Sequence, residues 1–451
     1  MGEQSMKTIR SYSSTWLGIG GFAINLIPFL LFVFLIKHNG DIITEVLPFG
    51  LFYAFRRTSL YLFRGSNVQL EFFGWFGIFS AICAYFLGMF GQFSPVLVDV
   101  SAIGAGVGAA LFPSVQKTYS LHATDESTNK FVSLLIWILA IVLLVFIIFT
   151  TAKSKTYLSF LAMLIYSLIG LLGFYWNPQR KKLSKDYNWP TLSFPNVLLS
   201  LALFLSVLLV RIGRSLGVGQ PTYWGVFILG GVLLVILLDL IFNRTMHSQM
   251  NNRLRTRLML FGICADFCAI FSAIYVGVTY GINSYMWIIA AFAAGIALGK
   301  PLVDLCAKIF KKASPLNIEL IGIIVGLLLT FNIYTYFIGI FFIRAFATQQ
   351  NQSAIKEYDQ TPLAKTNNSF MVSYRLMSIA GLTTQFILWI SLITLTKTSQ
   401  TDLTQILLDF TYHKTSNAFA LPILITQIIL VTCMSIFVIY TGIINSKKAN
   451  S

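Results

Sequence analysis

Six charged residues, Asp99, Arg211, Asp239, Asp266, Arg344 and Arg375, fall inside stretches that are otherwise apolar. An ionised side chain at the centre of a bilayer costs about 2.5–3.5 kcal/mol even on lenient insertion scales, so each needs a partner or a task. A carboxyl group can take up and release a proton, whereas an arginine keeps its charge and can hold an anionic group or fix a nearby carboxylate. Catalysis finds little support. The four histidines, His38, His122, His247 and His413, lie in loops or at helix ends, with no paired carboxylate or nucleophile at useful spacing. No glycine-rich phosphate loop runs into a Lys and a Ser or Thr. The chain reads as a non-enzyme that needs no cofactor.

Membrane helices must position these charges. Hydrophobic residues make up 56% of the chain and charged residues 11%, with a mean hydropathy of +0.76. About 20 apolar residues cross a hydrocarbon core as a helix. Stretches near 16–36, 43–63, 69–90, 94–116, 131–151, 156–176, 193–214, 222–242, 257–279, 284–304, 315–332, 333–353, 370–396 and 420–443 meet that description. The fold class is therefore all-α: a polytopic membrane protein of about 14 transmembrane helices. The twelfth stretch is the least apolar, because it ends in the polar run from Ala347 to Ser353.

The net charge is +16, and much of it sits in alternate short loops, as with Arg56, Arg57 and Arg64, or Arg180, Lys181, Lys182 and Lys185. Further basic loops carry Arg244 with Arg253, Arg255 and Arg257, then Lys308, Lys311 and Lys312, then Lys356 and Lys365, and a tail with Lys447 and Lys448. Basic loops stay on the cytoplasmic side. This pattern predicts a multi-pass protein of the cell membrane with both termini cytoplasmic. The partner of the charge is then the anionic inner leaflet, not nucleic acid. Five cysteines, Cys83, Cys264, Cys268, Cys306 and Cys433, lie in or at the ends of apolar segments, which argues against a disulfide framework. Cys264 and Cys268 share a helix face with no further ligand, so no metal site is expected.

An internal comparison supports the twelfth crossing. Shifting residues 93–131 by 239 positions lays Ser114 on Ser353, Lys117 on Lys356, Tyr119 on Tyr358, Asn129 on Asn368 and Phe131 on Phe370. A shift of 248 lays Glu71 on Glu319 and Gly74 on Gly322. Parallel halves of this kind are a mark of transporters.

The glycine-rich run from Ser101 through Gly104, Gly106 and Gly108 to Pro113 resembles the fourth helix of the major facilitator superfamily. The segment from Leu70 and Gly74 to Gly88 is similar to that family's third helix, and residues 369–385, with Arg375 and Gly381, resemble the thirteenth helix of its fourteen-helix drug:proton antiporter branch. The long hairpin at 397–419 also fits that branch. There are departures. The loop at 50–66 keeps Gly50, Arg56, Arg57 and Arg64 but carries no acid, with a partial echo at Gly299–Asp304, and residues 131–151 lack the Gly-Pro signature expected of the fifth helix.

The resemblance implies two six-helix bundles, 1–177 and 254–451, around a central cavity, with a linker and extra helix pair at 178–253. It implies that spans one, four, nine and twelve line the cavity. Asp99, Asp266 and Arg344 fall on those spans. At ~1.5 Å per residue, Asp266 lies about 14 Å from the start of span nine and Arg344 roughly 16 Å from the end of the twelfth that the loop pattern places outside. Both are then near the midplane.

Arg344, Thr348, Asn351 and Gln352 share one helical face. The candidates are therefore Asp266 and Asp99 for proton coupling, and Asn25, Arg344, Thr348, Asn351 and Gln352 for the substrate cavity. Arg56, Arg57, Asp304 and Arg375 are structural or gating candidates. Asp266 is read either as a protonatable coupling or substrate-contact site, with Arg344 tuning it or holding an anionic group, or as half of a static ion pair with Arg344. Asp239, Asp304 and Glu319, near helix ends, are read as interfacial solvated charges. The implied function is secondary active transport, proton-coupled export of an amphipathic or drug-like small molecule by a monomer. The alternatives are a lipid or anionic-metabolite transporter of the same fold, and a multi-pass sensor or membrane enzyme.

Overall fold

The structure, a computed structural model, describes residues 11–35, 42–62, 70–121, 130–152, 154–178, 194–216, 219–241, 250–280, 284–361, 371–398 and 420–446. Every regular element among them is helical, and each of the fourteen expected spans coincides with one. In chain order these are α1 (Ser13–Asn25, resuming as Ile27–Phe34), α2 (Ile42–Thr58), α3 (Leu70–Met89), α4 (Pro95–Leu121), α5 (Lys130–Thr151), α6 (Thr156–Trp176) and α7 (Phe194–Leu216). They continue as α8 (Gly219–Ile241), α9 (Asn252–Asp266, a π turn over Phe267–Phe271, then Ser272–Thr279), α10 (Tyr285–Ile309), α11 (Pro315–Leu329), α12 (Tyr336–Asp359), α13 (Met371–Thr398) and α14 (Ala420–Ser446). Eleven are long and apolar enough to span a membrane; α2, α11 and α12 are shorter or more polar. This is an all-α polytopic membrane fold. Arg64, Arg180, Lys181, Lys182, Lys185, Arg244, Lys365, Lys447, Lys448 and all four histidines lie outside the described residues, as does the side chain of Asp239.

Local chemistry sets several boundaries. The break in α1 at Leu26 precedes Pro28, which has no N–H to offer the carbonyl of Ile24. Helix α11 starts where the Ser314 hydroxyl accepts from the backbone N–H of Asn317 at 3.2 Å, with Pro315 in the first turn. Helix α12 does not stop in the polar run but continues to Asp359, six residues past the expected end. Its Gln350 and Asn351 are buried by protein, so they never meet lipid. Displacing α4 by 239 positions gives 334–360, close to the observed Tyr336–Asp359.

The chain groups into two compact units, residues 1–212 with 364–372 and residues 213–363 with 373–451. In the first, α3 and α4 pack backbone to backbone, Gly104 against Ala84 and Gly108 against Gly77 and Ala81. Most of α7 belongs here: Ser200 donates to the carbonyl of Thr58 at 3.0 Å, and the rings of Phe204 and Phe55 lie 4.9 Å apart. In the second unit, Gly299 lies against the carbonyl of Ala345, which brings α10 close to α12. Helix α8 packs in the same unit, with Gly230 against Phe386 and Tyr223 under the ammonium of Lys397. The outer surface is apolar, as on α5, where Phe131, Leu139, Val142 and Phe146 are exposed.

Candidate functional site

Asp266 is 3% exposed and stands at the last α-helical position before the π turn of α9. Gln385 of α13 donates its amide N–H to Asp266 Oδ2 at 2.8 Å. The carboxylate also lies directly against Gly381, where a Cβ would collide with its Oδ2 and Cγ. One turn before the acid, Gly262 presses on the backbone carbonyl of Met377. Glycines on both helices thus let α9 and α13 approach closely enough for a short amide to reach the acid. Burying a carboxylate is costly unless it is bonded, and Gln385 supplies such a bond. Beyond the π turn, Ser272 donates to the carbonyl of Phe267 at 3.3 Å and accepts from the hydroxyl of Tyr336 at 2.9 Å. The π turn therefore separates an α13-facing acid from an α12-facing hydroxyl.

Arg344 is 7% exposed. Its guanidinium carbon lies 4.1 Å from the ring centre of Phe292 and 4.6 Å from that of Phe261, and its Cβ leans on Gly295. Aromatic faces attract a cation, but they supply no acceptor in the plane of the guanidinium. Its Nε and Nη1 have no hydrogen-bond partner, and among the described residues it forms no ion pair with Asp266. The static ion pair expected between Asp266 and Arg344 is therefore not formed. On the same helix, Thr348 turns its hydroxyl back to the carbonyl of Arg344, Asn351 is buried with an unpartnered Oδ1, and Gln352 is half-buried. Gln350, which the face count omits, is fully buried with both amide atoms unpartnered.

Toward the N-terminal end of α9, Arg257 pairs with Glu357 of α12 at 2.6 Å. Glu319 of α11 is 4% exposed and within electrostatic reach of Arg257. The expectation of a solvated Glu319 is corrected here: its helix turns it into the bundle, where a cation offsets its charge. Asp304 is exposed, as its helix-end position suggests. Arg375 is buried in α13 near Tyr358.

In the first unit, Arg56 donates to Asn25 Oδ1 at 2.9 Å, tying α2 to α1 beside its break. Tyr53 carries two guanidinium groups, Arg211 at 3.8 Å and Arg57 at 5.3 Å. Asp99 is half-buried near the start of α4, with its Oδ1 unpartnered. Gln385, Phe261, Phe292, Tyr53 and the π turn were missed by sequence reasoning. No charge or proline marks them, and only proximity in the fold distinguishes them from ordinary apolar packing.

No protein-family model and no curated protein matches this chain. Solved structures do. A crystal structure of a point mutant of peptide transporter POT superposes with a TM-score of 0.53 at 14% identity, covering 97% of this chain and 95% of that one. A POT family transporter in complex with 5-aminolevulinic acid gives 0.50 at 14%, covering 98% and 96%. Peptide transporter POT in complex with sulfate gives 0.50 at 15%, covering 95% and 94%. The chain thus has the fold of these transporters, which is the major facilitator fold. The likeness reaches the fold and does not single out the drug:proton antiporter branch.

Proposed function

We propose that this protein is a secondary active transporter that couples the movement of a small solute to protons through Asp266. The observation that carries this reading is a buried carboxylate in the middle of α9, held by Gln385 and set beside a π turn. Such turns recur at functional sites, and an intramembrane acid is a functional candidate by default. Asp99 is the second proton-coupling candidate. The architecture proposed with it is two bundles, 1–177 and 254–451, flanking the segment 178–253, in a monomer of the cell membrane with cytoplasmic termini.

Export of an amphipathic or drug-like molecule by antiport is one form of this function. A second form, uptake or exchange of a small anionic or zwitterionic solute, is favoured by the buried positive charge of Arg344, which disfavours a cationic cargo. Peptides and 5-aminolevulinic acid, named for the solved neighbours, are of that kind.

The test is reconstitution into liposomes with a pH-sensitive dye inside. Cationic drugs, dipeptides and 5-aminolevulinic acid are added in turn to wild type and Asp266→Asn. Proton movement that requires both a solute and Asp266 is the expected result. Solute movement that ignores Asp266→Asn rejects the acid as the coupling site.

A further inference from the structure

We propose that Arg344 is the point at which a carboxylate on the transported solute is recognised. This rests on reading the protein as a solute transporter and names the class of solute. A buried guanidinium with two nitrogens unbonded is an expensive arrangement, since an unsatisfied charged donor forfeits its hydration without return. Two acids of the same unit are engaged with other residues, Asp266 with Gln385 and Glu357 with Arg257. Phe261 and Phe292 hold the cation without supplying an acceptor, and Gly295 fixes its stem against α10.

A planar fork of donors held in a water-poor place suits a carboxylate, which it can bind through two parallel bonds. Asn351 lies seven residues further along, on the same face and so about 10.5 Å away at the helical rise. It is buried with an unpartnered polar atom too. The pair of contacts fits a short acid with a second polar group near its far end.

The test reads binding rather than flux. Full-length protein in lipid nanodiscs is titrated with 5-aminolevulinic acid, dialanine and benzoate, each against its methyl ester, with thermal shift and calorimetry as readouts. The expected result is that at least one acid binds and its ester does not. Arg344→Gln should weaken that acid on the order of tenfold to a hundredfold, the range for a hydrogen bond to a charged group. It should leave the ester unchanged, and Arg344→Lys should fall between. Circular dichroism and elution profile report folding; if Arg344→Gln does not fold, Arg344→Lys is read in its place.

Equal treatment of every acid and its ester, or an acid that binds Arg344→Gln as well as wild type, overturns the proposal. Arg344-dependent acid binding without any solute-driven proton movement would sink proton coupling through Asp266 and leave carboxylate recognition at Arg344 standing. Coupled flux of an acid that is indifferent to Arg344→Gln would do the reverse.

Discussion

Gln385 reaches Asp266 across the buried contact of α9 with α13, and Gly381, one turn earlier on α13, leaves the space that the carboxylate occupies. A methyl group at 381 would strike Oδ2 and Cγ of the carboxylate. Gly381→Ala is expected to abolish most solute-driven proton movement while the protein still folds. Gly231→Ala is the matched control, because nothing lies within 4 Å of a Cβ there. Equal flux in the two variants would remove Asp266 from the coupling step.

Replacing Gln385 by Leu takes away the donor but keeps the volume. A buried acceptor left without its partner costs about 1–3 kcal/mol, so Gln385→Leu should unfold at a lower temperature than wild type in the same detergent. Gln385→Asn, one carbon shorter, should recover little of the loss. Unchanged melting in both would mean that the bond contributes nothing to the bundle.

The Arg257–Glu357 pair is asymmetric, since the side chain of Glu357 is 46% exposed while that of Arg257 is 10% exposed. Glu357→Gln leaves a cation still attended by Glu319, whereas Arg257→Gln leaves Glu319 buried alone. The second should destabilise more, by about 3 kcal/mol where breaking a buried pair is the guide. Adding Glu319→Gln to Arg257→Gln should then restore part of the melting temperature, and a double-mutant cycle measures how much.

Tyr53 bears on the first unit in the same manner. With Arg211 and Arg57 both over its ring, Tyr53→Phe should keep both cation–ring contacts. Tyr53→Leu should lose roughly 0.5–2 kcal/mol of stability, the worth of a cation over an aromatic face. Denaturant or thermal unfolding of the pair distinguishes the ring from the hydroxyl.

The helices were legible because twenty-residue apolar runs leave few alternatives, and the repeat between α4 and α12 pointed to a helix running on through the polar stretch at 347–353. Asp266 and Arg344 were legible for the opposite reason: a charge among Phe, Ile and Ala is conspicuous. Their partners were not. Gln385 and Phe292 are ordinary residues of α13 and α10, and only the packing of four helices reveals that one answers the acid of α9 and the other the cation of α12. Glu319 was misread because its distance from the helix end sets depth but not direction. Direction depends on which face α11 turns to α12, and a single sequence does not encode that in any local pattern.

The π turn at Phe267–Phe271 holds one residue more than an α-turn would, so everything after it lags by roughly 100° relative to an unbroken helix. It acts as a phase shifter. Residues before it report to one neighbour, residues after it to another, and the two halves of α9 turn as separate dials on a common shaft. Removing one residue from 267–271 would bring the dials into step, so that Asp266 and Ser272 no longer address α13 and α12 at once. A chain shortened by that single position should insert and fold, yet hold its acid on the wrong side of the helix.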